Sequence, residues 1–358
     1  MKLLASPPFR FRLGAYTFGH FAVEFVANYF LITIIGPHLV QREQMITMLL
    51  IYNACDYGLQ VLIGLADDIV RRNHFFAAVG PVFIICSYFF GGDALVMGGV
   101  LGVGMAFSHV PMGRQVLQDA PDRYTALSIF VSSGVLGVFL GRQVAFTHIA
   151  IWWQLIAILA VFAVLLLALG SRESQWNNPA EQRTQNLELH LDWRSYLAIL
   201  TLMVVIILQS FASAAMAFQW SVGWLAWGEA FAICFGKAFG GVFADRFGYR
   251  NTVLYSLSAA VIMAGFSISI PVLGIIFLFC FNLTGATIIA RLPRHLPSSP
   301  GTAFGLYKMM HFIGFCPILL CGAQTFCTPF LLIVLTIVVG VLMFLESFVA
   351  PAVERKGD

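Results

Sequence analysis

Four polar side chains, Tyr16, His20, Glu24 and Asn28, recur at four-residue steps in a stretch that is otherwise apolar. On an α-helix that step returns to one face, so the four form a polar stripe with an imidazole beside a carboxylate. A carboxylate withdrawn from water is costly unless it has a partner or exchanges a proton, which fits Glu24 for proton coupling. A permanently paired structural carboxylate is the alternative. A second stripe, Asn53, Asp56, Tyr57 and Gln60, offers Asp56 for the same work or as a hydrogen-bond partner for the segment near residue 308. His20 and His311 are the stripe imidazoles able to titrate near neutral pH, although a lone histidine in a helix is more often a packing residue.

Basic groups lie in comparable apolar surroundings. Lys308 and His311 are three residues apart on one face, with Lys237 and Arg142 in other apolar runs. Together they suggest an anionic group on a ligand, unless Lys308 or Lys237 neutralises Asp56 or Glu24. Glu229 and Lys237 are eight residues apart, on one helix face but about 12 Å from each other, too far to pair. Gln209, Ser210, Ser213, Asn282, Thr284 and Thr287 add neutral polar groups that contact either a solute or a neighbouring helix.

The elements that must position these groups are set by composition. Of 358 residues, 59% are hydrophobic and 10% charged. The mean hydropathy is +0.87. Soluble domains carry roughly a quarter of their residues as charges. The apolar residues come in runs of about twenty, the length that crosses a hydrocarbon core. Backbone groups in lipid must bond internally, and continuous rather than alternating apolarity selects helices over a barrel. Twelve spans are expected, near 12–36, 46–66, 74–91, 93–113, 124–146, 149–170, 194–217, 222–244, 251–270, 271–290, 302–322 and 328–350. The N-terminal residues lack a short apolar segment with a small-residue cleavage site, so the first run is expected to be a retained span. Seven scattered cysteines without a CxxC pair suggest packing residues, not a disulfide framework or zinc site.

Charge placement orients the spans. With the N-terminus inside, 16 of the 20 Lys and Arg residues fall on the cytoplasmic side, which predicts both termini in the cytoplasm. The chain also repeats. Arg114 recurs as Arg291, Thr125-Ala126 as Thr302-Ala303 and Gly137 as Gly314, all at an offset of 177, while Ala66-Asp67 recurs as Ala244-Asp245 at 178. Two parallel six-helix repeats follow from this: an N-terminal bundle 1–170, a cytoplasmic linker 171–193 and a C-terminal bundle 194–358.

The segment GGVFADRFGYRN, Gly240 to Asn251, resembles the loop that major facilitator superfamily transporters carry after their second and eighth spans. Gly241, Ala244, Asp245, Arg246, Gly248 and Arg250 match that pattern. In the first copy, GLADDIVRR, Gly64, Asp67, Arg71 and Arg72 fit, whereas Asp68 stands where a basic residue is usual and Val70 where glycine is usual. The resemblance implies an all-α fold of two pseudo-symmetric six-helix bundles. It also implies that these loop residues form a conformational latch, in which the aspartate accepts from the free N–H groups of the next helix. In that family the first, fourth, seventh and tenth spans line a central cavity, which would turn the Tyr16–Asn28 stripe inward. AYTFGHFAVEFVANYF further resembles the first span of drug and fosmidomycin exporters, but span five lacks their Gly-Pro element and span four their mid-helix arginine.

The reading is a non-enzymatic, proton-coupled secondary transporter of a small anionic or zwitterionic solute, working by alternating access. Glu24, Asp56 and His20 would carry the proton. Lys308, His311, Lys237, Arg142, Glu229, Tyr16, Asn28, Gln209 and Asn282 would bind or balance the solute. No cofactor, metal or nucleic acid is expected; the lipid bilayer, protons and the solute are the partners. A monomer in a bacterial cytoplasmic membrane fits the compact loops. The rival readings are a drug or lipid efflux antiporter, and a non-transporting sensor or scaffold on a transporter fold.

Overall fold

The computed structural model describes residues 7–173 and 193–349. Fourteen α-helices among the described residues build twelve spans. Span one is α1 (Pro7–Phe30), extended by a π-helical turn Leu31–Ile35 and a 3₁₀ turn Gly36–His38. Span two is α2 (Arg42–Asn53), a π-helical turn Ala54–Gly58 and α3 (Gln60–Val70). Then follow α4 (Asn73–Tyr88), α5 (Ala94–Asp119), α6 (Tyr124–Phe146) and α7 (Trp152–Glu173). The later chain holds α8 (Trp193–Ala215), α9 (Trp224–Phe247) and α10 (Tyr249–Ala264). Span ten is α11 (Pro271–Asn282) with α12 (Gly285–His295), followed by α13 (Pro300–Cys321) and α14 (Pro329–Glu346). Nine of these spans are long and apolar enough to cross a bilayer, and α4 is a shorter apolar helix. The chain is thus a multi-pass, all-helical membrane protein.

Residues sort into two compact units. The first holds described residues 7–120, 133–173 and 299–309; the second holds 121–132, 193–298 and 310–349. This differs from the expected boundary at the linker, most of which lies outside the described residues. The opening turns of α6 cluster with the second unit and those of α13 with the first. Capping carboxylates described below hold each of these helix starts.

Within the first unit α4 packs along α5 and α7, and α5 also meets α1 and α2. Val23, Phe30, Met48, Ile84, Leu101 and Met105 belong to its buried core. In the second unit α11 packs on α9 and α10, and α14 on α10 and α8. Lipid tails are as apolar as these side chains, so close van der Waals fit and small residues hold such helices together. The repeat shows this directly: a Cβ at Gly137 would strike the Phe21 carbonyl of α1, and one at Gly314 the Ile207 carbonyl of α8. The pairs α1–α6 and α8–α13 therefore occupy equivalent places in the two halves of the sequence.

A buried histidine between two carboxylates and a pair of helix caps

Helix α1 brings Tyr16, His20, Glu24 and Asn28 to one face, as the four-residue spacing predicts, and Tyr16, His20 and Asn28 are all buried. Their partners differ. The Tyr16 hydroxyl lies 3.0 Å from His74 Nδ1 on α4, inside the packing of the helices. Asn28 donates to the Glu24 carbonyl at 3.0 Å and accepts from Arg142 Nε at 3.0 Å. Arg142 thus has an amide partner in the protein.

The remaining two residues of the stripe join a cluster centred on His109 of α5, whose side chain is 1% exposed. His109 Nε2 lies 3.2 Å from Glu24 Oε1, and Nδ1 lies 3.4 Å from Asp56 Oδ1. His20 Nε2 is 3.8 Å from the same Glu24 oxygen, and its ring stands edge-on to His109 with centroids 4.9 Å apart. Asp56 sits in the π-helical turn of span two and is 2% exposed. Gln60, four residues on, donates to Asp56 Oδ1 at 3.0 Å. A bond to span eleven or a lysine pair was the alternative to a coupling role for Asp56; its carboxylate is held by Gln60 and His109 of its own unit. The Lys308 ammonium lies 5.2 Å from the Tyr57 ring centroid, over an aromatic face of span two.

This arrangement constrains protonation. A neutral imidazole has one N–H, and an ionised carboxylate only accepts. If His109 donates through Nδ1 to Asp56, its Nε2 faces Glu24 either as a second N–H, making an imidazolium, or as a lone pair towards a protonated carboxyl or a cation. The cluster therefore has places for positive charge that one titratable group alone would not provide.

The other candidates lie in the second unit, with milder chemistry. Gln209 donates to Thr284 Oγ1 at 3.0 Å, and Ser210 to the His311 carbonyl at 2.6 Å. Asn282 caps back onto the Leu278 carbonyl at 2.9 Å. Glu229 lies on α9, and on the same helix Lys237 lies so close to α12 that a Cβ at Gly285 would come within 3.7 Å of its stem.

At the basic ends of the helices the repeat becomes chemical. Asp245 accepts from the backbone N–H groups of Tyr124 at 2.9 Å and Thr125 at 3.0 Å, and from the Thr125 hydroxyl at 2.6 Å. Asp68 accepts from Gly301 N at 3.0 Å, Thr302 N at 2.7 Å and the Thr302 hydroxyl at 2.8 Å. Each carboxylate satisfies N–H groups that a helix start leaves without partners, where the helix dipole also favours negative charge. Two expectations are corrected here. The capped helix is not the next one in the chain but α6 or α13. The counterpart of Asp245 is Asp68, not Asp67, which restores a single offset of 177 for the whole repeat. Asp67 is fully buried and 4.0 Å from Arg114 Nε.

The two arginines of the repeat then diverge. Arg114 Nε donates to Asp68 Oδ1 at 2.8 Å, and its guanidinium also reaches Asn73 and Gln118. Gln115 extends this network to Asp119, which pairs with Arg12 at 2.9 Å. Arg291 instead donates to Glu346 on the last span at 2.8 Å, and Glu346 also meets His295 Nε2 at 3.0 Å. Among the remaining loop residues, Arg71 ends α3 in the left-handed region and Arg72 is exposed. Gly248, at φ +85°, makes the turn between α9 and α10 that other residues rarely adopt. Arg250 lies over the Phe348 ring at 4.0 Å and Arg246 over Phe247 at 5.5 Å. A Cβ at Gly64 would meet the Gly301 backbone, and one at Gly241 would meet Ser128.

His109, Asp68 and Glu346 escape the sequence reading. His109 and Glu346 are ionisable residues inside expected spans, so the rule that singles out Glu24 applies to them equally. Asp68 is hidden by its departure from the loop pattern.

Comparison with solved structures gives the fold its name. The human organic anion transporter MFSD10 (TETRAN) aligns with a TM-score of 0.66 at 12% identity, covering 96% of this chain and 99% of its own. The Escherichia coli fucose:proton symporter FucP aligns with a TM-score of 0.62 at 12% identity, over 95% of this chain and 98% of that one. No protein-family model and no curated protein sequence matches the chain.

Proposed function

From the major facilitator fold, which these alignments establish, and from the His109 cluster, we propose a proton-coupled secondary transporter with alternating access and both termini in the cytoplasm. The observation that carries the proposal is one buried imidazole with a carboxylate at each ring nitrogen, at 3.2 and 3.4 Å. Such a triad exchanges a proton among three groups, and Gln60 holds one of the carboxylates in place. Glu24, with a side chain 15% exposed, is the most accessible of the three, so it would load and release the proton while His109 and Asp56 share it. Proton coupling is also in the description of the fucose symporter neighbour. Lys308 and Arg142, in the same unit, favour a solute bearing a carboxylate, a class that accords with the organic anion neighbour. Asp68 and Asp245, each holding a helix start, would serve as the latch that makes and breaks during the cycle.

The test begins with a thermal-shift screen of the detergent-purified protein against small carboxylates, amino acids and lipophilic cations at acidic and alkaline pH. A stabilising carboxylate is then taken into liposomes, where inward proton movement should accompany its flux and stop in Glu24→Gln and His109→Gln. Solute movement without protons, undiminished in both variants, would overturn the coupling. Stabilisation by lipophilic cations alone would replace the solute class with drug efflux.

A further inference from the structure

His20 Nε2, Glu24 Oε1 and His109 Nε2, from α1 and α5, lie within 4.8 Å of one another. We propose that these three atoms form a binding site for a divalent transition-metal ion such as Zn²⁺ or Co²⁺, with Asp56 as the outer carboxylate that orients His109. The proposal rests on the same cluster as the proton-coupling reading and adds a second cation to it.

The donor set is two imidazoles and one carboxylate, a combination that suits zinc-like ions and leaves a fourth position for water or a solute carboxylate. Bonds of about 2.0–2.1 Å to a tetrahedral ion put ligand atoms about 3.4 Å apart. Two of the separations here are 3.2 and 3.8 Å and all three lie within 4.8 Å, so a metal would draw the two imidazoles towards each other. His109 Nε2 points at Glu24 but makes no hydrogen bond in the structure, leaving a buried ring nitrogen directed at the metal position. Its other nitrogen faces Asp56 at 3.4 Å, and Asp56 is fixed in turn by Gln60 at 3.0 Å. A metal-bound histidine commonly donates its second N–H to a carboxylate in this way, which sets the tautomer that leaves Nε2 as a lone pair.

Binding requires both Nε2 atoms deprotonated and Glu24 ionised, so the ion displaces whatever protons those atoms carry. Metal and proton then compete for one site. The charged groups acting on it are Asp56, beside His109, which favours the cation, and Lys308, which opposes it.

The experiment is a titration of the full-length, detergent-purified protein with CoCl₂, followed by visible absorption and by calorimetry at two pH values. One Co²⁺ per chain with the intense bands of a tetrahedral N/O site is expected, binding more tightly at the higher pH. His109→Ala and Glu24→Gln should each weaken binding more than 10-fold, and Asp56→Asn about 10-fold while the tetrahedral bands remain. His38→Ala, in the 3₁₀ turn that ends span one, and His148→Ala, between α6 and α7, should leave both signals unchanged. Weak octahedral bands in the unaltered protein, no binding at millimolar Co²⁺, or loss of binding only in the His38 and His148 variants overturns the site. The first two readouts use the unaltered chain, so they hold even where a variant fails to fold. Because this is equilibrium binding without flux, its failure leaves proton coupling standing. Conversely, Co²⁺ binding in a protein whose solute flux moves no protons removes the coupling alone.

Discussion

The two units share a repeat yet spend their charges differently. In the first, carboxylates and imidazoles meet in mid-helix, at Glu24, Asp56, His20 and His109, on spans one, two and four. In the second, Gln209 donates to Thr284 across neighbouring helices, and the strong ion pair is Arg291 with Glu346. Ionisable groups inside a membrane persist where they work or are compensated. The difference is one of grouping: the first unit gathers its mid-helix carboxylates and imidazoles into one cluster, while the second spreads Glu229, Lys237 and His311 over two helices.

The largest effect that could break this comparison is on flux. Glu24→Gln and His109→Gln should cut proton-driven uptake in liposomes by about 100-fold or more, whereas Gln209→Ala should cost a few-fold at most. Equal losses in both units would show that the chemistry is shared. Stability comes next. Arg291→Ala strands Glu346 in a buried place and should cost about 3–5 kcal/mol in detergent unfolding, with much of that regained in the Arg291→Ala/Glu346→Gln double variant. Arg114→Ala should cost less, because Asp68 keeps its three donors from Gly301 and Thr302. A larger loss at Arg114 than at Arg291 would reverse the assignment of which arginine is structural. A smaller effect tests the caps. Asp68→Asn and Asp245→Asn should each cost about 1 kcal/mol, with Asp68 the more sensitive because Arg114 also loses its partner. The smallest change is expected at Lys308→Met, which removes a cation–π contact worth about 1 kcal/mol or less and should instead weaken carboxylate binding.

Much of this was legible in the chain. Apolar runs with polar breaks located the spans, because lipid leaves the backbone no alternative to helices. The Tyr16–Asn28 stripe was legible because helix periodicity is local. The partners were not. Nothing in the spacing says that Glu24 meets His109 eighty-five residues away, or that Asp68 reaches the start of α13, since those meetings depend on how spans pack. The degraded loop was misread for a related reason: a motif compares residue types, while the cap depends on where a carboxylate points. Arg142, read as a candidate for a solute, turned out to have an amide of its own unit within reach.

The π-helical turn Ala54–Gly58, which carries Asp56, has a consequence for heredity. A π turn is an α-helix that has absorbed one surplus residue, with regular helix on both sides. Dropping a single codon there would heal the ladder of backbone bonds and leave span two able to form. Because the surplus residue is taken up within that turn, residues beyond it, Gly64 and Asp68 among them, would keep the faces they now occupy, and only residues of the turn, Asp56 among them, would be displaced. Span two is therefore tolerant of a one-residue loss at this point everywhere except at its carboxylate. Among descendants of this gene, a one-residue deletion at 54–58 would mark a chain that still inserts, folds and keeps its cap but has moved the carboxylate beside His109.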